Sequence, residues 1–422
     1  MTIVWNWLRG VVGRLQAWIP LATTLVLQAH SSLLNLIITW FLVRQLGVAG
    51  FGYYAVYFLV AVNVSTVALA LIVQPLNSLT GQLTEKRRDQ FIQSAHLGLI
   101  SMFGVIFVAS LFVSVGALLF GGIWLHIAVT MIYSAAMTLG EYHRRILFLR
   151  RTPTLVLVYD AIRSALLPVA LLLTIRVPSA ANAAGFTVAI ALTYLLPLCL
   201  LRGVPGRIAN LYGNRARSLA QLRRLVRSGR WLAGAAILQF AQIQVVILLS
   251  FFVLGASEAG LIRLALTIVG LSNPAIHAME HVIPAQIGRR IRKDGWTAGM
   301  NALKQISAVA LLAFILFYAM LVVVSPYVLD FMDVRVDEQT VWLIVGLCFV
   351  YILQVAIRLV AFRNRAFEAT RQISDSLLLS AVASLLLAFP SLTIFGVLGV
   401  PLCLVATQLI ALWLLWCKSR TL

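Results

Sequence analysis

The residues of this sequence that could do chemistry are polar side chains inside long apolar stretches. Guanidinium groups bind phosphate oxygens bidentately, and histidines and carboxyl groups inside a membrane mark ion and substrate pathways. The candidate substrate-binding residues are Gln28, Ser32, Asn35, Arg163, Gln239, Gln242, Arg263, Thr267, His277 and His281. The candidate ion-coupling residues are Asp160 and Glu280, because a carboxyl group in a cavity can titrate.

Helical spacing places several of these residues on common faces. The stripe in the first apolar block consists of Gln28, Ser31, Ser32, Asn35 and Thr39. It could line a cavity or hydrogen-bond a neighbouring helix. Arg263 heads a second such face, with Thr267, His277 and His281, but lies close enough to a span end to snorkel to the interface instead. Asp160 and Arg163 are i,i+3 neighbours, and their spacing predicts a structural ion pair.

Several kinds of chemistry find no matching motif. The order His277, Glu280, His281 is not the His-Glu-x-x-His pattern of zinc enzymes, so no metal site is predicted. No lysine follows a glycine as a P-loop requires, and there is no Gly-x-Ser-x-Gly elbow, so we expect no cofactor, no catalytic residue and no enzyme activity. A membrane enzyme of sugar assembly would have to use the acids of one external loop, Asp330, Asp333, Asp337 and Glu338. A solvated loop is the favoured explanation of these acids.

The elements that must position these residues are membrane helices. The chain has 422 residues, of which 61% are hydrophobic and only 11% are charged, against about 25% charged residues in soluble domains. The apolar residues form blocks of about 20, the length that crosses a bilayer as a helix. The predicted spans are 21–43, 54–76, 95–119, 122–140, 154–176, 184–201, 230–253, 259–283, 303–327, 341–360, 374–393 and 396–416.

The net charge of +20 follows this topology. The basic residues are concentrated in 1–20, 81–94, 141–153, 202–230, 285–304, 358–372 and the C-terminus, which alternate with loops that hold few. Because basic loops stay in the cytoplasm, both termini are predicted to be cytoplasmic in a multi-pass protein of the bacterial inner membrane. The charge therefore predicts contact with anionic lipids and no binding of nucleic acid.

The sequence also contains an internal repeat with an offset of about 210 residues. Leu46 and Gly47, then Ala49 and Gly50, recur as Leu254 and Gly255, then Ala259 and Gly260. We therefore predict an all-α polytopic membrane protein with twelve transmembrane helices in two pseudo-symmetric six-helix lobes, with a substrate cavity between them. The predicted domains are an interfacial helix at 1–20, an N-terminal lobe at 21–201, a basic cytoplasmic linker at 202–229, a C-terminal lobe at 230–416 and a tail at 417–422.

Short motifs resemble those of the polysaccharide transporter family, which contains the O-antigen and exopolysaccharide flippases. The external turn that carries the resemblance is Arg44, Leu46, Gly47, Phe51, Gly52, Tyr54 and Ala55. Glu141, Arg144 and Arg145 before Asp160 and Arg163 resemble the family's connection between the fourth and fifth spans. Arg230 and Trp231 resemble the family's entry to its second half. Residues 280–284 resemble the end of its eighth span.

The resemblance implies a V-shaped fold like that of the multidrug and toxin extruders (MATE). It implies a flippase that moves undecaprenyl-pyrophosphate-linked oligosaccharide repeat units by alternating access, for O-antigen, capsule or exopolysaccharide assembly. The implied partners are the lipid-linked glycan, a polysaccharide polymerase and a chain-length regulator. The alternatives are an ion-coupled multidrug or metabolite antiporter of the same fold and, from a different class, the membrane enzyme described above.

Overall fold

The structure is a computed structural model. It describes residues 2–80, 91–92, 94–96, 98, 109, 112, 122–149, 153–200, 215–366 and 370–419. The side chains of residues 2–28 and of His277, Glu280 and His281 are not among those described. The helices are α1 (Thr2–Thr80), α2 (Ile123–Leu149), α3 (Pro153–Arg176), α4 (Ala183–Leu200), α5 (Arg215–Val253), α6 (Ala256–Val269), α7 (Asn273–Asp294), α8 (Trp296–Phe331), α9 (Glu338–Ala366), α10 (Thr370–Phe395) and α11 (Gly399–Ser419).

Helix α1 contains the first two predicted spans as two arms that meet at Gly47. The φ of 67° and ψ of 175° at Gly47 lie outside the helical region, in a part of conformational space that is essentially restricted to glycine. Residues 2–20 belong to the same helix as the first arm, so the boundary predicted at residue 20 is not a break in the helix.

The apolar helices agree with the predicted spans. Within the described ranges, eight helices are long and apolar enough to cross a membrane. Ala29–Leu76 and Asp375–Cys417 each cover most of two predicted spans, and the shorter apolar helix Ala183–Leu198 corresponds to the sixth. Most of the third predicted span, 95–119, lies outside the described residues. The prediction of an all-α polytopic membrane protein is confirmed.

The chain divides into two compact units, Gln45–Gly260 and Met1–Arg44 with Leu261–Leu422. In the first unit α4 packs closely against both α2 and α3, whereas α2 and α3 contact each other much less. In the second unit α11 packs closely against both α9 and α10, which likewise contact each other little. The same three-helix arrangement therefore occurs once in each unit, as the predicted internal repeat requires. The domain bounds given by the sequence stay a prediction.

The repeated glycine turns lie against each other inside the Gln45–Gly260 unit. A Cβ atom on Gly52 would lie 1.9 Å from the carbonyl oxygen of Ala256, and one on Gly260 would lie 2.1 Å from that of Val48. The interval from Val48 to Ala256 equals the interval from Gly52 to Gly260. The contact is therefore reciprocal, as a pseudo-two-fold relation between two copies of one motif demands.

Helix α5 joins the basic segment to the seventh predicted span without a break. It runs for 39 residues from Arg215 to Val253. Ser218 and Gln221 have the spacing of a capping box, which would begin a helix at Ser218, but residues 215–217 are already helical. Residues 202–214 of the predicted linker lie outside the described residues, while 215–229 form the first turns of α5.

Candidate functional site

Three helices of the Gln45–Gly260 unit place an arginine among tyrosines. We call Tyr133 of α2, Tyr159 of α3 and Tyr194 of α4 the tyrosine cage, because all three act electrostatically on Arg163 of α3. The Arg163 Cζ atom lies 3.6 Å from the centroid of the Tyr194 ring, a short cation–π contact. The Tyr159 hydroxyl donates a hydrogen bond to the Tyr194 carbonyl oxygen at 3.0 Å, which fixes α3 against α4.

The cage forms because Gly140 on α2 leaves room for two of its rings. A Cβ atom at this position would lie 2.6 Å from the Tyr159 hydroxyl oxygen and 2.8 Å from Cδ1 of Tyr194. Tyr133, Gly140 and Arg144 recur along α2 at helical spacing, so one face of this helix carries both the cage and the ion pairs beside it.

A chain of ion pairs lies next to the cage. Arg144 of α2 lies 3.1 Å from the Asp160 carboxylate of α3 and 3.8 Å from the Glu141 carboxylate. The Arg144 and Asp160 side chains are only 12% and 7% exposed. The sequence predicts that Asp160 pairs with Arg163, its neighbour on the same helix. The structure pairs Asp160 with Arg144 across two helices instead, and Arg163 lies on the Tyr194 ring.

Arg163 retains an unused hydrogen-bond donor. Its Nε atom is buried and has no hydrogen-bond partner among the described residues. A buried guanidinium with a free donor is costly unless a ligand or water completes it. The predicted site residue Arg163 is therefore packed among aromatic rings with one donor left for an anion or a water molecule.

A second arginine cluster lies in the other unit. We use this name for Arg263 of α6, Asn273 of α7 and Tyr351 and Arg358 of α9. The Tyr351 hydroxyl is hydrogen-bonded to the Asn273 side chain, and the strongest charges acting on it are those of Arg263 and Arg358. Arg263 and Arg358 are both half-buried.

A short 3₁₀ segment brings α6 and α7 to this cluster. It spans Gly270–Ser272, and a Cβ atom on Gly270 would lie 3.0 Å from the Asn273 side-chain nitrogen. The Ser272 hydroxyl lies 2.5 Å from the Tyr318 hydroxyl of α8. The predicted site residue Thr267 donates its hydroxyl to the Arg263 carbonyl oxygen at 2.9 Å, so that hydroxyl is already used inside α6.

The structure places the remaining predicted residues in different environments. Ser32 and Asn35 are half-buried on the first arm of α1, Gln242 of α5 is 3% exposed and Gln239 is exposed. Gln28, His277, Glu280 and His281 have helical backbones, but their side chains lie outside the described ones. Of the predicted set, the structure brings Asp160 near Arg163 and Thr267 near Arg263.

Sequence reasoning assigned no role to Glu141, Arg144 or the tyrosines. One signal was available, because Glu141, Arg144 and Arg145 are charged residues at the end of an apolar block and such residues need partners. Nothing in the sequence shows that Tyr133, Tyr159 and Tyr194 converge, since they lie on three helices.

The acids around the connection between α8 and α9 have structural contacts. Asp333 lies 2.7 Å from Arg44, whose position at a span end predicts snorkelling to the interface. The Asp337 carboxylate accepts hydrogen bonds from the Thr340 backbone N–H at 2.8 Å and from its hydroxyl, so Asp337 caps α9. Glu338 accepts one from the Trp342 ring nitrogen at 3.3 Å. These contacts account for three of the four acids that a membrane enzyme would need.

Comparison with known proteins identifies the fold. No protein-family model and no curated protein matches the chain. An inward-facing MATE-family multidrug resistance transporter of the MOP superfamily matches with a TM-score of 0.67 and 13% identity, over 92% of this chain and 94% of that one. The lipid II flippase MurJ, in an inward closed conformation, matches with a TM-score of 0.61 and 12% identity, over 92% of this chain and 86% of that one.

A third solved structure is similar over almost its whole length. The Vibrio cholerae MATE transporter VcmN matches with a TM-score of 0.55 and 14% identity, over 96% of this chain and 95% of that one. At these identities the likeness concerns the fold, which is the polytopic, all-helical fold shared by MATE transporters and the MurJ flippase.

Proposed function

We propose that the chain is a flippase that moves undecaprenyl-pyrophosphate-linked oligosaccharide repeat units across the bacterial inner membrane by alternating access. The products would serve O-antigen, capsule or exopolysaccharide assembly. The observation that carries this proposal is the pair of half-buried arginines in membrane helices, Arg263 and Arg358, both of which act electrostatically on the Tyr351 hydroxyl. Half-buried arginines in membrane helices favour an anionic cargo, because a guanidinium fork matches two phosphate oxygens.

The two arginine-containing sites differ in the charged groups that lie near them. In the Gln45–Gly260 unit, Arg144 lies between the carboxylates of Glu141 and Asp160, which neutralise it. The strongest charges near Tyr351 are both positive. Arg263 and Arg358 thus act on one tyrosine hydroxyl, and we take the second arginine cluster as the candidate site for the pyrophosphate.

The energy source for transport is inferred from a motif that the sequence lacks and from its buried carboxyl groups. Because the sequence has no P-loop, transport would draw on an ion gradient or on consumption of the product outside the cell. Asp160 and Glu280 remain the candidates for coupling, and Glu141 joins them, since its side chain is 23% exposed and the Arg144 guanidinium lies 3.8 Å from its carboxylate. The polymerase and the chain-length regulator remain proposed partners.

A second candidate function is an ion-coupled antiporter of drugs or metabolites. The two carboxyl groups of Glu141 and Asp160 inside membrane helices favour it, because a typical cationic cargo needs acidic residues in its site. Arg144 weakens this reading, since it occupies both carboxylates in the structure.

Transport by the purified full chain tests the function. In proteoliposomes that contain a fluorescent undecaprenyl-pyrophosphate oligosaccharide, we expect wild-type protein to expose the lipid to an impermeant quencher on the far side. Arg263→Ala should abolish this transport and Arg263→Lys should restore part of it, because lysine keeps the charge and loses the fork. Arg335→Ala is the matched control, since Arg335 is exposed in the external loop.

Two outcomes would contradict the proposal. Wild-type protein that moves a cationic dye but not the lipid-linked oligosaccharide would favour the antiporter. Normal transport by Arg263→Ala would remove this residue from the site.

The orientation of the chain in the membrane has its own test. In a cysteine-free background, Arg217→Cys should react with an impermeant thiol reagent from the cytoplasmic side only.

A further inference from the structure

Four exposed arginines form a stripe along the first turns of α5. We call Arg223, Arg224, Arg227 and Arg230 the arginine stripe. At 100° per residue they fall within an arc of about 120° on one side of the helix. No acidic residue occurs between 202 and 230. Among the described residues, none of the four arginines forms an ion pair.

The opposite side of α5 is fixed to the core of its unit. The Ser94 hydroxyl donates a hydrogen bond to the Gln221 side-chain oxygen at 2.5 Å. Leu225 is fully buried in a cluster that includes Ile72 and Tyr142. A Cβ atom on Gly229 would lie 2.0 Å from the Leu71 carbonyl oxygen, so the two backbones touch. The arginine stripe is therefore presented on a rigid support.

The exposed residues beside the stripe are of the types that lie at a membrane surface. Trp231 is 74% exposed, and the Arg230 Cζ atom lies 5.3 Å from the centroid of its ring. Leu219, just outside this arc, is 48% exposed. Tryptophan and arginine together at the end of an apolar helix are typical of the level of the lipid headgroups.

The spread of the charges distinguishes between two phosphate-bearing partners. From Arg223 to Arg230 the helix rises by about 10 Å, at 1.5 Å per residue. Guanidinium groups distributed over this length contact several neighbouring phosphates, whereas one diphosphate needs them to converge. We propose that the arginine stripe binds the headgroups of anionic phospholipids in the cytoplasmic leaflet and thereby holds this end of α5 at the membrane surface.

This contact would reach the transport machinery through α5 itself. The helix continues without interruption from the stripe to Gln239 and Gln242. Anchoring its cytoplasmic end therefore restrains the position of both glutamines, and it makes the function of the chain depend on anionic lipid.

Lipid retention by the purified full chain tests the proposal. Native mass spectrometry would count phosphatidylglycerol and phosphatidylcholine molecules on the wild type and on the triple variant Arg223→Gln/Arg224→Gln/Arg227→Gln. At about 1 kcal/mol for each basic residue near the surface, the triple variant should bind phosphatidylglycerol about 100-fold more weakly. The control is Arg290→Gln/Lys293→Gln/Lys304→Gln, which removes three exposed positive charges elsewhere.

The possible outcomes distinguish lipid binding by the arginine stripe from a general effect of positive charge. Retention of phosphatidylglycerol by the control and its loss by the stripe variant would support the proposal. So would its recovery in Arg223→Lys/Arg224→Lys/Arg227→Lys, which also shows that the fold survives changes at these positions. Equal loss in control and stripe variants, full retention by the stripe variant, or displacement of phosphatidylglycerol by equimolar undecaprenyl diphosphate would overturn it. None of these results depends on whether the chain is a flippase.

Discussion

The carbonyl oxygen of Ala256 lies where a side chain on Gly52 would begin, since a Cβ atom at residue 52 would lie 1.9 Å from it. Gly260 stands in the same relation to Val48. Real Cβ atoms do not approach this closely, so both positions require glycine for steric reasons alone. Gly52 and Gly260 are as far apart in the sequence as Gly47 and Gly255, so the contact pairs Gly260 with Gly52 and not with Gly50, the glycine that the repeated motif suggests.

Gly52→Ala should therefore destabilise the protein by about 1–3 kcal/mol, the usual cost of overpacking. Gly260→Ala should cost a similar amount. Gly234→Ala is the matched control, because a Cβ atom at residue 234 would have nothing within 4 Å and alanine favours the helix. Thermal unfolding in detergent measures the three variants. Equal unfolding temperatures for Gly52→Ala and Gly234→Ala would show that the backbones are not in contact.

Removing one partner of the Arg144–Asp160 ion pair should destabilise the protein more than replacing both partners by apolar residues. Arg144→Met alone leaves a buried carboxylate and should cost about 3–5 kcal/mol. The double variant Arg144→Met/Asp160→Leu removes both charges and should recover most of that loss. Unfolding temperatures for the two single variants and the double variant give the coupling energy. Additive losses would mean that the two side chains do not interact.

The contact of Arg163 with Tyr194 should depend on the aromatic ring. Tyr194→Leu removes the ring and should cost about 0.5–2 kcal/mol in addition to the lost packing. Tyr194→Phe keeps the ring and the backbone carbonyl that accepts from Tyr159, and should cost less. Unfolding measurements on both variants decide this. A larger loss for phenylalanine than for leucine would assign the contact to the hydroxyl group instead.

The cap of α9 gives a dependence on pH. Hydrogen bonds donated by the Thr340 hydroxyl and backbone N–H hold the pKa of Asp337 below its ordinary value of 3.8. The stability contributed by the charged cap is therefore present above pH 3.8 and is lost as the pH falls through the lowered pKa. Asp337→Ala should cost about 1 kcal/mol at neutral pH.

Unfolding measured across acidic pH checks the sign. The difference between wild type and Asp337→Ala should shrink as the pH drops below 3.8. Asp330→Ala is the control, since Asp330 is exposed near the same loop and caps no helix start. A difference that grows on acidification would exclude the charged cap as its cause.

Local patterns in the sequence predicted the class of fold but not the contacts inside it. Apolar blocks and basic loops are readable from neighbouring residues, so the spans and the repeat could be predicted. The spacing of Asp160 and Arg163 on one helix was equally readable and suggested the wrong partner. Arg144 meets Asp160 only because α2 packs on α3. Arg44 meets Asp333 only because two segments that are distant in the sequence come into contact. Such pairs depend on which helix faces meet.

The reciprocal contact of the two glycine turns constrains how the halves can diverge. Each turn packs directly against the other copy of the same turn. A bulkier residue in one copy therefore needs space that the other copy must provide. A self-complementary surface of this kind could also join two separate chains, each carrying a single turn. Residues 48–52 and 256–260 thus form, inside one chain, the kind of self-complementary patch that joins the subunits of a symmetric dimer.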